Sequence, residues 1–280
     1  MRLAPWSRAV WWFQCSRVFV LLLLGLNGCA TLRSPPVPPA LERATLPSAQ
    51  ELLQTLETRR QTLTSLRGLA RVVYKDTQER GTAKQAVAVA APDRFRWELF
   101  SPVGVAALVA SNGNQLSTYF PSEKVLYRGA ATAENVARFT RVFLSPREIV
   151  GLLLGAPVLP AMTNSCSVQP DTEKEWHRLT CPAAGQAGVQ LWFEPQTLRL
   201  RRVDIQAADG TTTRRMDLAD YRTVGEYVFP FEIVLSDLQG QQQASIFYER
   251  VELNPHPPDS IFTLALLNGV REVDVDAFSP

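Results

Sequence analysis

The chain has 280 residues, 46% of them apolar, with 29 Lys and Arg set against 27 Asp and Glu. That size and apolar content suit one large domain or two small ones. The near-even charge balance gives no sign of the basic face that a nucleic-acid binder presents.

The first 28 residues read as a lipoprotein signal peptide. Arg2, Arg8 and Arg17 come before any acid, and the nine apolar residues Val18–Leu26 follow. From Cys29 onward the chain has 26 basic and 27 acidic residues, so its basic excess belongs to this leader. A spanning helix needs about 20 apolar residues, and this stretch is too short. Leu26-Asn27-Gly28-Cys29 looks like a bacterial lipobox, where a peptidase cuts before a diacylated cysteine. Cys29 is therefore the expected lipidation site, bearing a diacylglycerol and an N-acyl (palmitate-class) chain. More than one chain makes such anchoring stable.

Residues 29–47 hold Pro35, Pro36, Pro38, Pro39 and Pro47, the composition of an extended, semi-rigid tether. Residues 48–280 form the folded domain. Ser48-Ala49-Gln50-Glu51 reads as a capping box. It opens a helix with Leu52, Leu53, Leu56, Leu63 and Leu66 on one stripe, ended by Gly68.

The pattern then turns to short strands: 69–74, 84–90, 94–100, 105–111, 115–120 and 124–128, with turn residues between them. Arg94-Phe95-Arg96-Trp97-Glu98-Leu99 alternates into one apolar and one charged face. Ala86, Ala88 and Ala90 share a face, which either borders a cavity or receives a closely packed helix. Helices are expected over 132–141 and from Ser145-Pro146-Arg147-Glu148, with Ser145 as N-cap and Gly155-Ala156-Pro157 as the stop. Leu152, Leu153 and Leu154 make the second helix apolar around much of its girth, the mark of burial. Strands resume at 166–169, 176–181, 189–193, 198–205, 212–218, 227–238 and 243–253, with a short last one at 270–275.

Once Cys15 leaves with the leader and Cys29 is acylated, Cys166 and Cys181 remain. A hairpin centred on Thr172–Glu175 sets them opposite one another, and an exported chain meets an oxidising compartment, so a disulfide is expected. No catalytic chemistry is expected. There is no G-x-S-x-G elbow, no phosphate loop and no H-E-x-x-H or Cys/His metal spacing, and His177 and His256 stand far apart. No metal and no cofactor beyond the acyl groups on Cys29 is expected.

The order of these parts resembles the LolB-like outer-membrane lipoproteins of the LolA/LolB carrier superfamily. The resemblance runs from Leu66-Arg67-Gly68-Leu69-Ala70-Arg71 through Ser101-Pro102-Val103-Gly104 and Ile149–Gly155 to Leu159-Pro160. It resumes at Val251–Pro255 and Asp259–Leu264. It implies an α+β, mostly antiparallel fold: an incomplete, unclosed β-barrel with helices forming a lid over an apolar cavity for acyl chains. It implies a lipid-anchored outer-membrane protein of a Gram-negative bacterium, its domain facing the periplasm. Ala30 after the cysteine fits that destination. Such a protein binds the acyl chains of lipoproteins, takes them from a LolA-like periplasmic carrier and helps insert them into the outer membrane.

Val87, Val89, Phe95, Trp97, Leu99 and Leu108 are the candidate cavity-lining residues. Phe95→Glu is expected to abolish acyl binding and leave the fold largely intact. Pro102 and Val103 match the family's membrane-inserting loop, with Val103 in the place of its leucine; Ser101-Pro102-Val103-Gly104 also reads as a plain hairpin turn. The alternative function is a structural or envelope-assembly lipoprotein that uses this scaffold for a protein partner or another lipid. An open apolar cavity favours the first reading, and a filled core the second.

Overall fold

The computed structural model describes residues 46–162, 165–183 and 186–277. The leader, the lipobox with Cys29 and the tether as far as residue 45 lie outside the described residues. The described residues form one compact unit.

Helix α1 (Ala49–Thr62) starts where Ser48 Oγ accepts from the Glu51 N–H, which satisfies one of the free donors of the first turn. It ends earlier than the leucine stripe predicts. Leu63 leaves helical geometry, and Leu66 and Gly68 belong to β1 (Ser65–Lys75). Gly68 serves the sheet instead of a helix end. A Cβ there would come within 2.7 Å of the Arg250 carbonyl oxygen, next to the register shift at Leu69/Ala70.

A meander follows: β2 (Arg80–Ala90), β3 (Arg94–Ser101), β4 (Gly104–Asn112), β5 (Gln115–Phe120) and β6 (Val125–Ala130). Helices α2 (Ala133–Thr140) and α3 (Pro146–Leu153) follow it. The α3 start is a complete capping box, with Ser145 and Glu148 each satisfying the other's backbone N–H. Gly155, at φ +62°, takes the left-handed turn that ends α3.

The second meander comprises β7 (Ser167–Asp171), β8 (Trp176–Ala183), β9 (Gln186–Phe193), β10 (Leu200–Gln206), β11 (Thr212–Val224), β12 (Tyr227–Asp237) and β13 (Gln242–Leu253). A 3-10 helix (Asp259–Phe262) and β14 (Arg271–Asp274) complete the described chain.

All fourteen strands join one open sheet in the order β14-β6-β5-β4-β3-β2-β1-β13-β12-β11-β10-β9-β8-β7. Pairing is antiparallel except for β14 beside β6. The seam between the two meanders is β1 against β13, which brings Leu66 opposite Leu253. Helices α1 and α3 supply Leu52, Leu56, Ile149, Val150, Leu152 and Leu153 to the core built on one sheet face, and α2 adds Val136.

The opposite face carries the charged set. Arg96 and Glu98 form an ion pair, while Arg215 grips the buried Asp204 with two nitrogens. Ala88 and Ala90 also face this way, beneath Phe262 of the 3-10 helix. Of the two roles open to the alanine face, the close approach of a helix is the one observed.

Candidate functional site: an apolar cavity at one end of the sheet

One half of the core face is filled and the other is not. At the end where α1 leads into β1, Leu52, Leu66, Val89 and Phe95 pack without solvent contact. Towards the opposite end, which carries the β1–β2, β3–β4, β5–β6 and β12–β13 turns, a cavity of about 360 Å³ opens between sheet and helices. That volume lies in the range of small-molecule sites, about 300–1,000 Å³.

Strand parity determines the lining. On β2 and β3 the odd positions Ala83, Gln85, Val87, Trp97 and Leu99 reach the cavity, and Ala107 and Val109 do so from β4. Val72 and Tyr74 of β1 join Ala244 and Ile246 of β13 and Leu235 of β12 across the seam. The helical side contributes Phe139 of α2, Val142 and Leu144 of the connection, and Ile149, Leu152 and Leu153 of α3. Polar groups are few. The Trp97 indole N–H, packed with the Phe95 ring at 4.7 Å between centroids, has no hydrogen-bond partner among the described residues. Leaving such a group unpaired costs about 1–3 kcal/mol.

Three of the sequence candidates, Val87, Trp97 and Leu99, line this cavity. Val89 and Phe95 share their face but sit in the filled half, fully buried. A glutamate at Phe95 would bury an unpaired charge in the core, so Phe95→Glu breaks the fold, contrary to the sequence expectation. Leu108 is a correction. It pairs with Glu98 on β3 and so stands on the charged face, where it borders a separate hollow with Tyr119, Leu126 and Leu264. One residue of parity separates it from Ala107 and Val109.

The helical side is tied down by polar contacts around the cavity. Arg59 of α1 donates to the carbonyls of Gly155, Leu154 and Val228, which joins α1, the end of α3 and β12. Burial lowers the pKa of its guanidinium from the usual value. Tyr248, wholly buried, donates to Leu153 O at 3.0 Å, and burial raises its pKa. At the cavity's open end, Arg141 closes α2 in a left-handed conformation. It reaches Glu79 at 2.5 Å and Asp76 at 3.7 Å on the β1–β2 turn. Tyr74 donates to Asp76 at 2.8 Å, so this turn and the α2–α3 connection are latched across the opening.

Pro102 and Val103 form the tip of the β3–β4 hairpin, and Val103 is 97% exposed. Cys166 and Cys181 are joined by a disulfide next to the β7–β8 pairing, in which Val168 faces Leu179. His177 lies on β8 and burial lowers its pKa; His256 lies in the loop after β13. Among the described residues no group of three His, Cys, Asp or Glu side chains comes together as a metal site, and no helix is long and apolar enough to cross a membrane.

Solved structures share this architecture. A DUF1329 family protein from Desulfovibrio piger superposes with a TM-score of 0.55 at 12% identity, over 77% of this chain and 95% of its own. A domain from Vibrio parahaemolyticus, described as a candidate outer membrane lipoprotein-sorting protein, gives 0.54 at 12% identity over 77% and 97%. A LolA superfamily protein from Nitrosomonas europaea gives 0.51 at 14% identity over 78% and 98%. A family model described only as an uncharacterized protein matches residues 184–268. No curated protein matches the chain. The chain thus has the LolA-like fold: a mostly antiparallel, open sheet with few helices.

Proposed function

We propose that this chain binds the acyl chains of lipoproteins and helps place them in the outer membrane, as a lipid-anchored receptor of the LolB type. The observation that carries this reading is the apolar cavity of about 360 Å³. Its lining suits saturated chains, since each buried methylene contributes about 0.8 kcal/mol. In this reading α2, α3 and their connection are the lid, and lid opening loosens the Arg141 latch. Cys29 carries the anchor, the domain faces the periplasm, and cargo arrives from a LolA-like carrier. Val103 at the β3–β4 tip offers an apolar side chain to the bilayer. The description of the Vibrio domain as a lipoprotein-sorting candidate agrees with this assignment. The alternative of a scaffold without ligand calls for a filled core, and an open cavity speaks against it.

The test is transfer. The domain 45–280 is incubated with a LolA-type carrier loaded with labelled lipoprotein, and each protein is then recovered separately. Label moving to the domain is the expected result. Label remaining on the carrier, with the domain folded, refutes the receptor role.

A further inference from the structure

Seven large apolar side chains are exposed among the described residues, and six of them lie at the cavity's end of the sheet. Phe100 and Val103 belong to the β3–β4 hairpin, and Leu238 follows β12 in the β12–β13 turn. Phe143, 57% exposed, lies in the α2–α3 connection between Val142 and Leu144, which both line the cavity. Leu266 and Leu267 precede a turn that delivers Arg271 to the Lys124 carbonyl, beside the β5–β6 turn. Only Leu46, before α1, lies elsewhere. The turns at the opposite end, such as Pro92–Asp93, Asn112–Asn114 and Gly225–Glu226, expose no large apolar side chain.

We infer that this rim is a bilayer-docking ring, and that it seats the cavity mouth against lipid. The inference rests on the acyl-binding reading and extends it from one hairpin to four separate segments. A bilayer is the occupant that fits the pattern. The apolar tips are isolated from one another by polar turns, Asp76–Glu79 and Pro121–Lys124. A protein interface needs a contiguous desolvated core, whereas a fluid bilayer takes up separate side chains one by one. The rim also carries the exposed Lys75, Arg80 and Lys124 for contact with anionic headgroups. Phe143 adds a consequence that Val103 alone lacks. Its insertion pulls on the segment whose two neighbours cover the cavity, so membrane contact and opening become one movement.

The experiment uses domain 45–280, which contains the whole described core. Flotation with vesicles of phosphatidylethanolamine and phosphatidylglycerol is measured for the native sequence and for Val103→Ser, Phe143→Ser, Leu238→Ser and Leu267→Ser, singly and together. Leu46→Ser is the control. Binding of a fluorescent fatty acid in solution is followed in parallel. The expected result is a loss in vesicle partitioning of roughly three- to tenfold for each rim change, cumulative in the combined variant. Leu46→Ser should float like the native domain, and fatty-acid binding should be unchanged by the Val103, Leu238 and Leu267 substitutions. A native domain that does not float, a combined variant that floats equally well, or an equal loss for Leu46→Ser overturns the ring. So does a native dimer that the combined variant dissolves, which would make the rim a self-association face. Fatty acid that never binds the native domain, whatever the flotation result, overturns the acyl-binding reading instead.

Discussion

Ala107→Leu is the sharpest test of whether the cavity holds acyl chains. Ala107 is nearly buried, lines the cavity and is the cross-strand partner of Leu99, with Phe120 of β5 in the same lining. A cavity of about 360 Å³ has room for at least about a dozen methylene-sized groups at roughly 30 Å³ apiece. Leucine places three further carbons in that space. A chain long enough to fill the cavity must then withdraw about three methylenes, a loss of about 2.4 kcal/mol or roughly sixtyfold in affinity. A chain of about eight carbons leaves room unused and should bind as before. Isothermal titration across a fatty-acid series reads both limbs, and thermal melting of the same samples checks the void itself. Added carbons that enter empty space leave the melting temperature level or raise it, whereas overpacking lowers it. An equal loss at every chain length, or none at any, refutes the cavity as the acyl site. A fall of several degrees in melting temperature refutes the void.

Other changes probe the parts that hold the cavity in place. Arg59→Met leaves the carbonyls of Gly155, Leu154 and Val228 without their shared donor. It should destabilise the domain by about 2–4 kcal/mol in urea, and a cost under about 0.5 kcal/mol would show that water replaces the guanidinium. Reducing the Cys166–Cys181 bridge, which spans a sequence separation of 15, should cost about 3 kcal/mol; an unchanged melting temperature with dithiothreitol would contradict this. Asp76 is acid-sensitive. Hydrogen bonds from the Gln78 and Glu79 amides, with one from Tyr74, hold its carboxyl below the ordinary 3.8. A folded pKa below the unfolded one gives stability that is complete above about pH 3.8 and lost as pH falls through the folded value. The protection of the Gln78 and Glu79 amides, taken as exchange relative to the intrinsic rate at each pH, should therefore fall below that pH in the native domain and be nearly flat in Asp76→Asn.

Local signals in the sequence were sufficient for the elements. The alternation from Arg94 to Leu99 became β3 with its apolar face inward, and Ser145 with Glu148 became the capping box of α3. The end of α1 is not legible locally because Leu63 and Leu66 continue the helical stripe; pairing with β13, nearly 190 residues away, claims Leu66 for the sheet. The same distant seam hides the cavity role of Val72, Tyr74, Leu235 and Ala244 from the sequence, since nothing local says that β1 and β13 adjoin. Leu108 failed for a related reason. Val105–Ser111 is apolar on both faces, so only the register Glu98↔Leu108 decides which side each residue takes. The second face is apolar because the chain from Asp259 to Val270 lies across it, with Phe262 on Ala88 and Ala90 and Leu264 on Ala110 and Leu126.

That covering of the outer face bears on how a receptor of this kind would release its cargo. Lipid tails are about as apolar as Leu99, Val109 or Leu152, so a methylene leaving the cavity for a bilayer gains or loses little free energy. A methylene crossing water on the way costs about 0.8 kcal/mol, and a dozen would cost about 10 kcal/mol. The barrier to release is thus set by how much chain meets water, which depends on where the cavity opens. Here the sheet itself closes one side of the cavity, its outer face covered by the 3-10 helix and Leu264, and α1 with Phe95 and Val89 fills one end. In the acyl-binding reading the path that remains leads out through the end that carries the exposed Val103, Phe143, Leu238 and Leu267. Filling one half of the core therefore supplies stability and also gives the empty half a direction.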